Sequence, residues 1–235
     1  MRHTIQVVAV GVLSLAALCF GYGGFEVTAG FVDFKGLNRD LTYLNQAVPP
    51  QGWNGSGKFT HKAPLWWYGG HGGERVGPVT LGGSGALAAR TNQADSLGSE
   101  LAAVRADFEV GFPHSPVEWV WVRPTIELAG TGLVIYAHSK ENGAVVGNFS
   151  ANFKRWFASW GIGAAPGVEV MGSLPTSPES FIGLFVKASY FIPVTGLARF
   201  GDRNPPDFDL SGVTVQIGLR FGKTVSRTGQ DWPEY

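Results

Sequence analysis

The stretch Ala102-Ala103-Val104-Arg105-Ala106-Asp107-Phe108-Glu109-Val110-Gly111-Phe112 alternates without a break. Ala102, Val104, Ala106, Phe108, Val110 and Phe112 fall on one side, and Ala103, Arg105, Asp107, Glu109 and Gly111 on the other. A period of two belongs to a β-strand. The same pattern recurs near the C-terminus, where Val213, Val215, Ile217, Leu219 and Phe221 alternate with Thr214, Gln216, Gly218, Arg220 and Gly222. A strand with one apolar face must hide it, in a protein core or in lipid, and that choice decides the function.

Working outward, Phe25, Val27, Ala29 and Phe31 alternate in a first strand reaching Phe34. Leu37, Leu41 and Leu44 then follow at i, i+4 and i+7, the spacing of a short amphipathic helix. Pro49 to Gly57 reads as an irregular loop. Further strands are expected over 65–75, 79–91, 97–112, 117–136, 152–171, 180–194 and 210–222, separated by turn residues such as Pro78, Pro113 and Leu174-Pro175-Thr176-Ser177-Pro178. Pro124 cannot donate to a ladder, so a bulge is expected there, with the distal part of that strand projecting beyond the main sheet. No fixed-length repeat and no βαβ alternation occurs. The expected fold is all-β, an antiparallel up-and-down barrel of about eight strands with one short helix after the first.

Arg2 and His3 precede an uncharged apolar run, Ile5 to Phe20, the pattern of a secretory signal peptide. Residues 1–21 are expected to be this leader, 22–222 the barrel and 223–235 a C-terminal tail. The single cysteine, Cys19, falls in the leader, so disulfide and thiol chemistry are not expected in the mature protein. A lipoprotein acceptor would want a small residue before it, and Leu18 stands there.

Eighteen basic and eighteen acidic residues balance, which points away from nucleic acid. Charged residues make up 15% of the chain. A water-facing surface carries about 25–35%. The 34 glycines, 8 tryptophans and 16 phenylalanines suit a tightly curved barrel with aromatic rims.

Alternation alone does not separate a soluble barrel from a membrane barrel. The low charge and the Gly-, Ala-, Ser- and Thr-rich opposite face favour apolar side chains turned to lipid. Arg105, Asp107, Glu109, Arg123, Glu127, Lys187 and Arg220 then point into the lumen. Leaving one such charge unpaired there would cost roughly 3–5 kcal/mol, so a charge network is the expected filling. Trp66, Trp67 and Tyr68, Trp119 and Trp121, Trp156 and Phe157, and Tyr190 and Phe191 gather near strand ends, as interfacial aromatics do. Trp119 and Trp121 share a face with Arg123 unless Pro124 shifts the phase.

In architecture, residues 25–222 resemble the small eight-stranded outer-membrane β-barrel proteins of bacteria, the OmpA and OmpX type. The resemblance implies an outer-membrane location, contact with outer-membrane lipid and delivery by the barrel assembly machinery. It also implies that Phe221 is the terminal aromatic recognised during assembly. Residues 223–235 continue past it, a departure from that pattern.

Chemistry is sparse. His61, His71, His114 and His138 lack zinc-ligand spacing. Glu74 is a candidate partner for His71. Neighbours on a strand face opposite ways, so His114-Ser115 and His138-Ser139 cannot form a nucleophile–base pair, although a serine from elsewhere could be recruited. Gly69-Gly70-His71-Gly72-Gly73 and Gly82-Gly83-Ser84-Gly85 lack the context of a phosphate loop. Asn148-Phe149-Ser150 matches a glycosylation acceptor, and Asp207 with Asp209 is a thin calcium set.

The expectation is therefore a non-enzymatic outer-membrane barrel, without metal or cofactor, in a structural or surface-interaction role. Its loops 47–64, 139–150 and 198–209 would form the contact surface. The alternatives are a soluble periplasmic or secreted lipocalin-like barrel binding an apolar ligand, and a membrane-embedded lipid-modifying enzyme. The oligomeric state is open.

Overall fold

The computed structural model describes residues 21–47, 61–93, 97–117, 119–139, 154–177, 180–194, 198–201 and 209–223. In chain order the elements are β1 (Tyr22–Asp33), α1 (Lys35–Ala47), β2 (Leu65–Val76), β3 (Val79–Gln93), β4 (Leu97–Gly111), β5 (His114–Val117), β6 (Val120–Ser139), β7 (Lys154–Ser177), β8 (Ser180–Pro193), β9 (Ala198–Gly201) and β10 (Asp209–Lys223). Eight of the strands pair antiparallel with their neighbours in the order β1-β2-β3-β4-β6-β7-β8-β10, and β10 returns to β1. That is a closed up-and-down barrel. The short β5 borders β6, and β9 extends β7 where β8 has ended.

The register fixes its width. From Tyr22 the cross-strand partners run through Gly73, Gly82, Glu109, Glu127 and Ala165. They continue in register through Phe191 and Gly212 and regain β1 at Val32, ten residues along. Eight strands tilted by such a stagger enclose a space that side chains can fill.

The apolar face points outward. Val104, Phe108, Val213 and Ile217 are each about half exposed, as are Phe25, Val27, Leu128, Leu184 and Leu219. The inward face carries Glu26, Thr28, Arg105, Glu109, Arg123, Glu127, Glu169, Lys187 and Arg220, all buried. A soluble barrel has the reverse arrangement, so the lipocalin-like alternative falls. Every barrel strand exceeds the 9–11 residues or so needed to cross hydrocarbon.

Inward glycines make room for the larger fillings. A Cβ at Gly73 would overlap the Tyr22 hydroxyl, and one at Gly218 would come within 2.6 Å of the Phe185 ring. The β2–β3 turn, Val76-Gly77-Pro78-Val79, has Gly77 at φ 60° in its first central position. Proline fixes the second at negative φ, which selects the II′ hairpin turn.

Pro124 is not at a bulge. β6 keeps one register against β7 from Val120↔Gly172 to His138↔Lys154, with Pro124 opposite Val168. Its carbonyl accepts from Phe112 N at 3.0 Å, so its edge without a donor faces the point where β4 ends. The missing donor therefore costs little. The irregular pairing along β6 is with β5, between His114 and Val117. β7 also runs to Ser177, absorbing the turn expected from Leu174.

α1 lies at the end of the barrel opposite residues 22 and 222. Its buried Leu37 and Leu41, with Phe34, pack in one cluster with inward residues Leu65, Trp67, Ala88, Leu101, Leu133, Ile135 and Phe191. The expected helix is present, and it fills the barrel mouth instead of lying on a surface. Leu37→Ala should lower stability by about 2–5 kcal/mol while the barrel still closes. Urea unfolding read beside heat-dependent gel mobility checks both parts.

Candidate functional site

The lumen has two layers: the apolar layer around α1 and, toward residues 22 and 222, an ionic one. Alternation places alternate residues of each strand inward, and the ten-residue stagger brings charges from six strands to similar depth. Glu169 on β7 holds the centre. Arg220 Nη1 and Nη2 donate to its Oε1 and Oε2 at 2.7 and 2.8 Å, a bidentate pair. Arg123 Nη2 reaches Glu169 Oε2 at 2.8 Å and Glu109 Oε1 at 2.6 Å. Arg123 Nη1 donates to Thr80 Oγ1 at 2.9 Å and to the Tyr22 hydroxyl at 3.3 Å.

Lys187 bridges Glu109 and Glu127, and Glu127 also pairs with Arg105. Arg105 Nε lies 3.5 Å from Asp107 Oδ2. Asp107 accepts from Ser84 N at 3.0 Å and from Ser84 Oγ at 2.7 Å. The space left among these groups is about 20 Å³, roughly one water.

All seven residues placed in the lumen by alternation project inward and meet a counter-ion. Glu26, His71 and Glu169 complete the network. Glu26 between Phe25 and Val27, and Glu169 between Val168 and Val170, carried the same alternation signal. His71 does not meet Glu74, which is exposed: residues three apart on a strand face opposite sides. It lies 3.3 Å from Glu26 Oε2 through Nδ1, and Arg220 Nε donates to its Nε2 at 3.2 Å. An acceptor at Nε2 puts the proton of a neutral ring on Nδ1, toward Glu26. Phe185 meets the His71 ring edge-on at 4.8 Å and lies under the Arg220 guanidinium, 4.9 Å away.

The aromatics divide by parity. Trp66, Tyr68, Trp119 and Tyr190 are exposed, whereas Trp67 and Phe191 are buried in the lumen. Trp121 keeps phase with Arg123 because Pro124 causes no shift, and its Nε1 donates to Ser173 Oγ at 3.1 Å. The side chains of Trp156 and Phe157 lie outside the described residues.

A second polar cluster sits at the mouth. Asn38 on α1 accepts from His61 N and donates to His61 O, both at 2.7 Å. His61 Nε2 lies 3.2 Å from Ser99 Oγ, so a histidine–serine contact does form across the chain. Ser99 has no exposed surface. Burial first, then the nearby Arg90 guanidinium, lowers His61 to about 4.

No protein-family model matches the sequence, and neither does any curated protein. Among solved structures, a major outer membrane protein of Thermus thermophilus is similar at 10% identity and a TM-score of 0.41, over 86% of this chain and 99% of that one. Ail, the attachment invasion locus protein of Yersinia pestis, is similar at 10% identity and 0.37, over 87% and 98%. The outer membrane protease OmpT of Escherichia coli is similar at 8% identity and 0.38, over 87% and 94%.

The geometry makes the ionic layer and the mouth separately testable. Glu169→Gln takes from Arg220 its carboxylate partner and leaves Arg123 paired with Glu109, and it should cost about 3–5 kcal/mol in urea unfolding. Glu74→Gln, on the outer face, should change almost nothing. Neutral His61 contributes stability that is complete above pH 6.5 or so and is lost as pH falls through about 4. The urea midpoint of the natural chain should therefore fall further than that of His61→Phe over this interval.

Proposed function

We propose that this chain is a bacterial outer-membrane β-barrel with a structural or surface-interaction role, its lumen closed by charged side chains and by α1. The observation that carries the reading is the inversion of polarity between neighbouring residues of the strands that line the ionic layer. Leu219 and Phe221 face out and are more than 40% exposed, while Arg220 between them is 5% exposed and ion-paired. Hydrocarbon outside and paired charges inside is the arrangement a lipid bilayer selects.

With about 20 Å³ free among the ionic groups and the mouth filled by Leu37 and Leu41, the lumen offers no diffusion path. Interaction then belongs to the end bearing α1, where the connections are longest and where β3, β4, β6, β7 and β9 stay paired past the end of β8. Most residues of loops 47–64, 139–150 and 198–209 lie outside the described residues, as do residues 1–20 and 224–235. Candidate partners are outer-membrane lipid and, through outward-facing Phe221 beside Gly23 and Ile182, the barrel assembly machinery. A non-enzymatic role suits the burial of Ser99.

Refolded protein should float with lipid vesicles, migrate faster on a gel when unheated, and give no conductance steps in a planar bilayer. Ile217→Arg, near the middle of β10, should cost about 2–4 kcal/mol in vesicles. Recovery in the soluble fraction would sink the membrane reading, and steady conductance would sink the closed lumen.

A further inference from the structure

Among the described residues, the barrel wall parts between β2 and β3. β2 and β3 pair from Val76↔Val79 to Tyr68↔Leu87 and no further. Both strands continue: β2 to Leu65, paired only with β1, and β3 to Gln93, paired only with β4. Their facing edges therefore part toward the end bearing α1. In place of backbone pairing, Arg90 laces the gap, its guanidinium donating to the carbonyls of Lys62 and Pro64. Pro64 has no N–H to offer the opposite edge.

The parted seam holds a groove of about 380 Å³ lined by Lys62, Ala63, Pro64, Trp66, Arg90, Thr91 and Asn92. Two cations line it and no carboxylate does, among the described residues. Arg90 spends two of its five N–H donors on the carbonyls, and Lys62 is exposed. Glu100, opposite Thr91 on β4, is the acid that the register brings nearest, and it is not in the lining.

Depth is marked independently. Trp66 faces outward, 48% exposed, immediately below Lys62 and Pro64 and above exposed Tyr68 at 59%. Exposed Trp and Tyr settle where hydrocarbon gives way to headgroups. The groove thus opens sideways at headgroup level, with cations above an aromatic and apolar wall below.

We propose that this seam is a binding site for a phosphate group carried by a membrane lipid, held by Lys62 and Arg90 with its chain alongside Trp66. The inference rests on the membrane reading. Lysine serves as a point charge for phosphate, and the guanidinium presents paired donors to two phosphate oxygens. A cation near a bilayer surface strengthens anionic lipid binding by about fivefold.

The test uses the full chain refolded in neutral maltoside micelles and native mass spectrometry of retained lipid, with phosphatidic acid, phosphatidylcholine and inorganic phosphate as probes. Phosphatidic acid should be retained in preference to phosphatidylcholine. Lys62→Gln should weaken that retention about fivefold, and Lys62→Arg should restore it. Unheated gel mobility shows that each variant is folded, and because Lys62 is exposed neither substitution disturbs the core. Equal retention of the two lipids, or an unchanged Lys62→Gln, overturns the site. Displacement of phosphatidic acid by equimolar inorganic phosphate overturns the lipid source and assigns the groove to a free anion. Vesicle flotation separates the two levels: a chain that floats but shows no anionic preference refutes only this inference, whereas one that does not float refutes the membrane reading beneath it.

Discussion

Glu169 accepts both arms of Arg220 and one of Arg123, inside a tube too narrow to hydrate them. The rest of the molecule is arranged around the need to keep such groups paired. Eight strands staggered by ten residues set a fixed internal width, so each inward charge must find its partner across the lumen or beside it on the wall. The inward glycines belong to the same constraint: Tyr22 and Phe185 occupy space that a Cβ at Gly73 or Gly218 would take. With polar side chains committed to the inside, the outside is left to Val, Leu, Ile and Phe.

The lumen is nevertheless not uniform. Its ionic layer gives way, toward the end bearing α1, to Leu65, Trp67, Leu101, Leu133 and Ile135, which no charge could satisfy. α1 supplies the matching surface with Leu37 and Leu41, and Asn38 ties it to His61. The two layers divide the work. Ion pairs fix the position of strands relative to one another, and the helix excludes water from the mouth. The lowered pKa of His61 is the electrostatic mark of that dryness.

Much of this was legible because strand alternation is a local property. Val104, Arg105 and Phe108 declare their sides within a few residues, and the same rule supplies Glu26 and Glu169. What alternation cannot give is the partner across the barrel, since that depends on the stagger summed over all eight strands. Hence Arg220 could be placed inward, but its pairing with Glu169, 51 positions away, could not. Pro124 illustrates another limit. Its effect depends on which edge lacks the N–H, and that edge faces the end of β4. The helix periodicity of Leu37 and Leu41 was plain, while its insertion into the mouth required knowing how many apolar residues line that end. The seam between β2 and β3 left no sequence signal beyond Pro64.

The central claim is the polarity of the wall, which adjacent residues of one strand can report. Ile217→Cys and Gln216→Cys, each made with Cys19 replaced, can carry the same small fluorophore in vesicles containing nitroxide-labelled lipid. Strong quenching at position 217 and little at 216 is the predicted result. Quenching at 216 with none at 217 would mean that the apolar faces form a core, and would contradict the account.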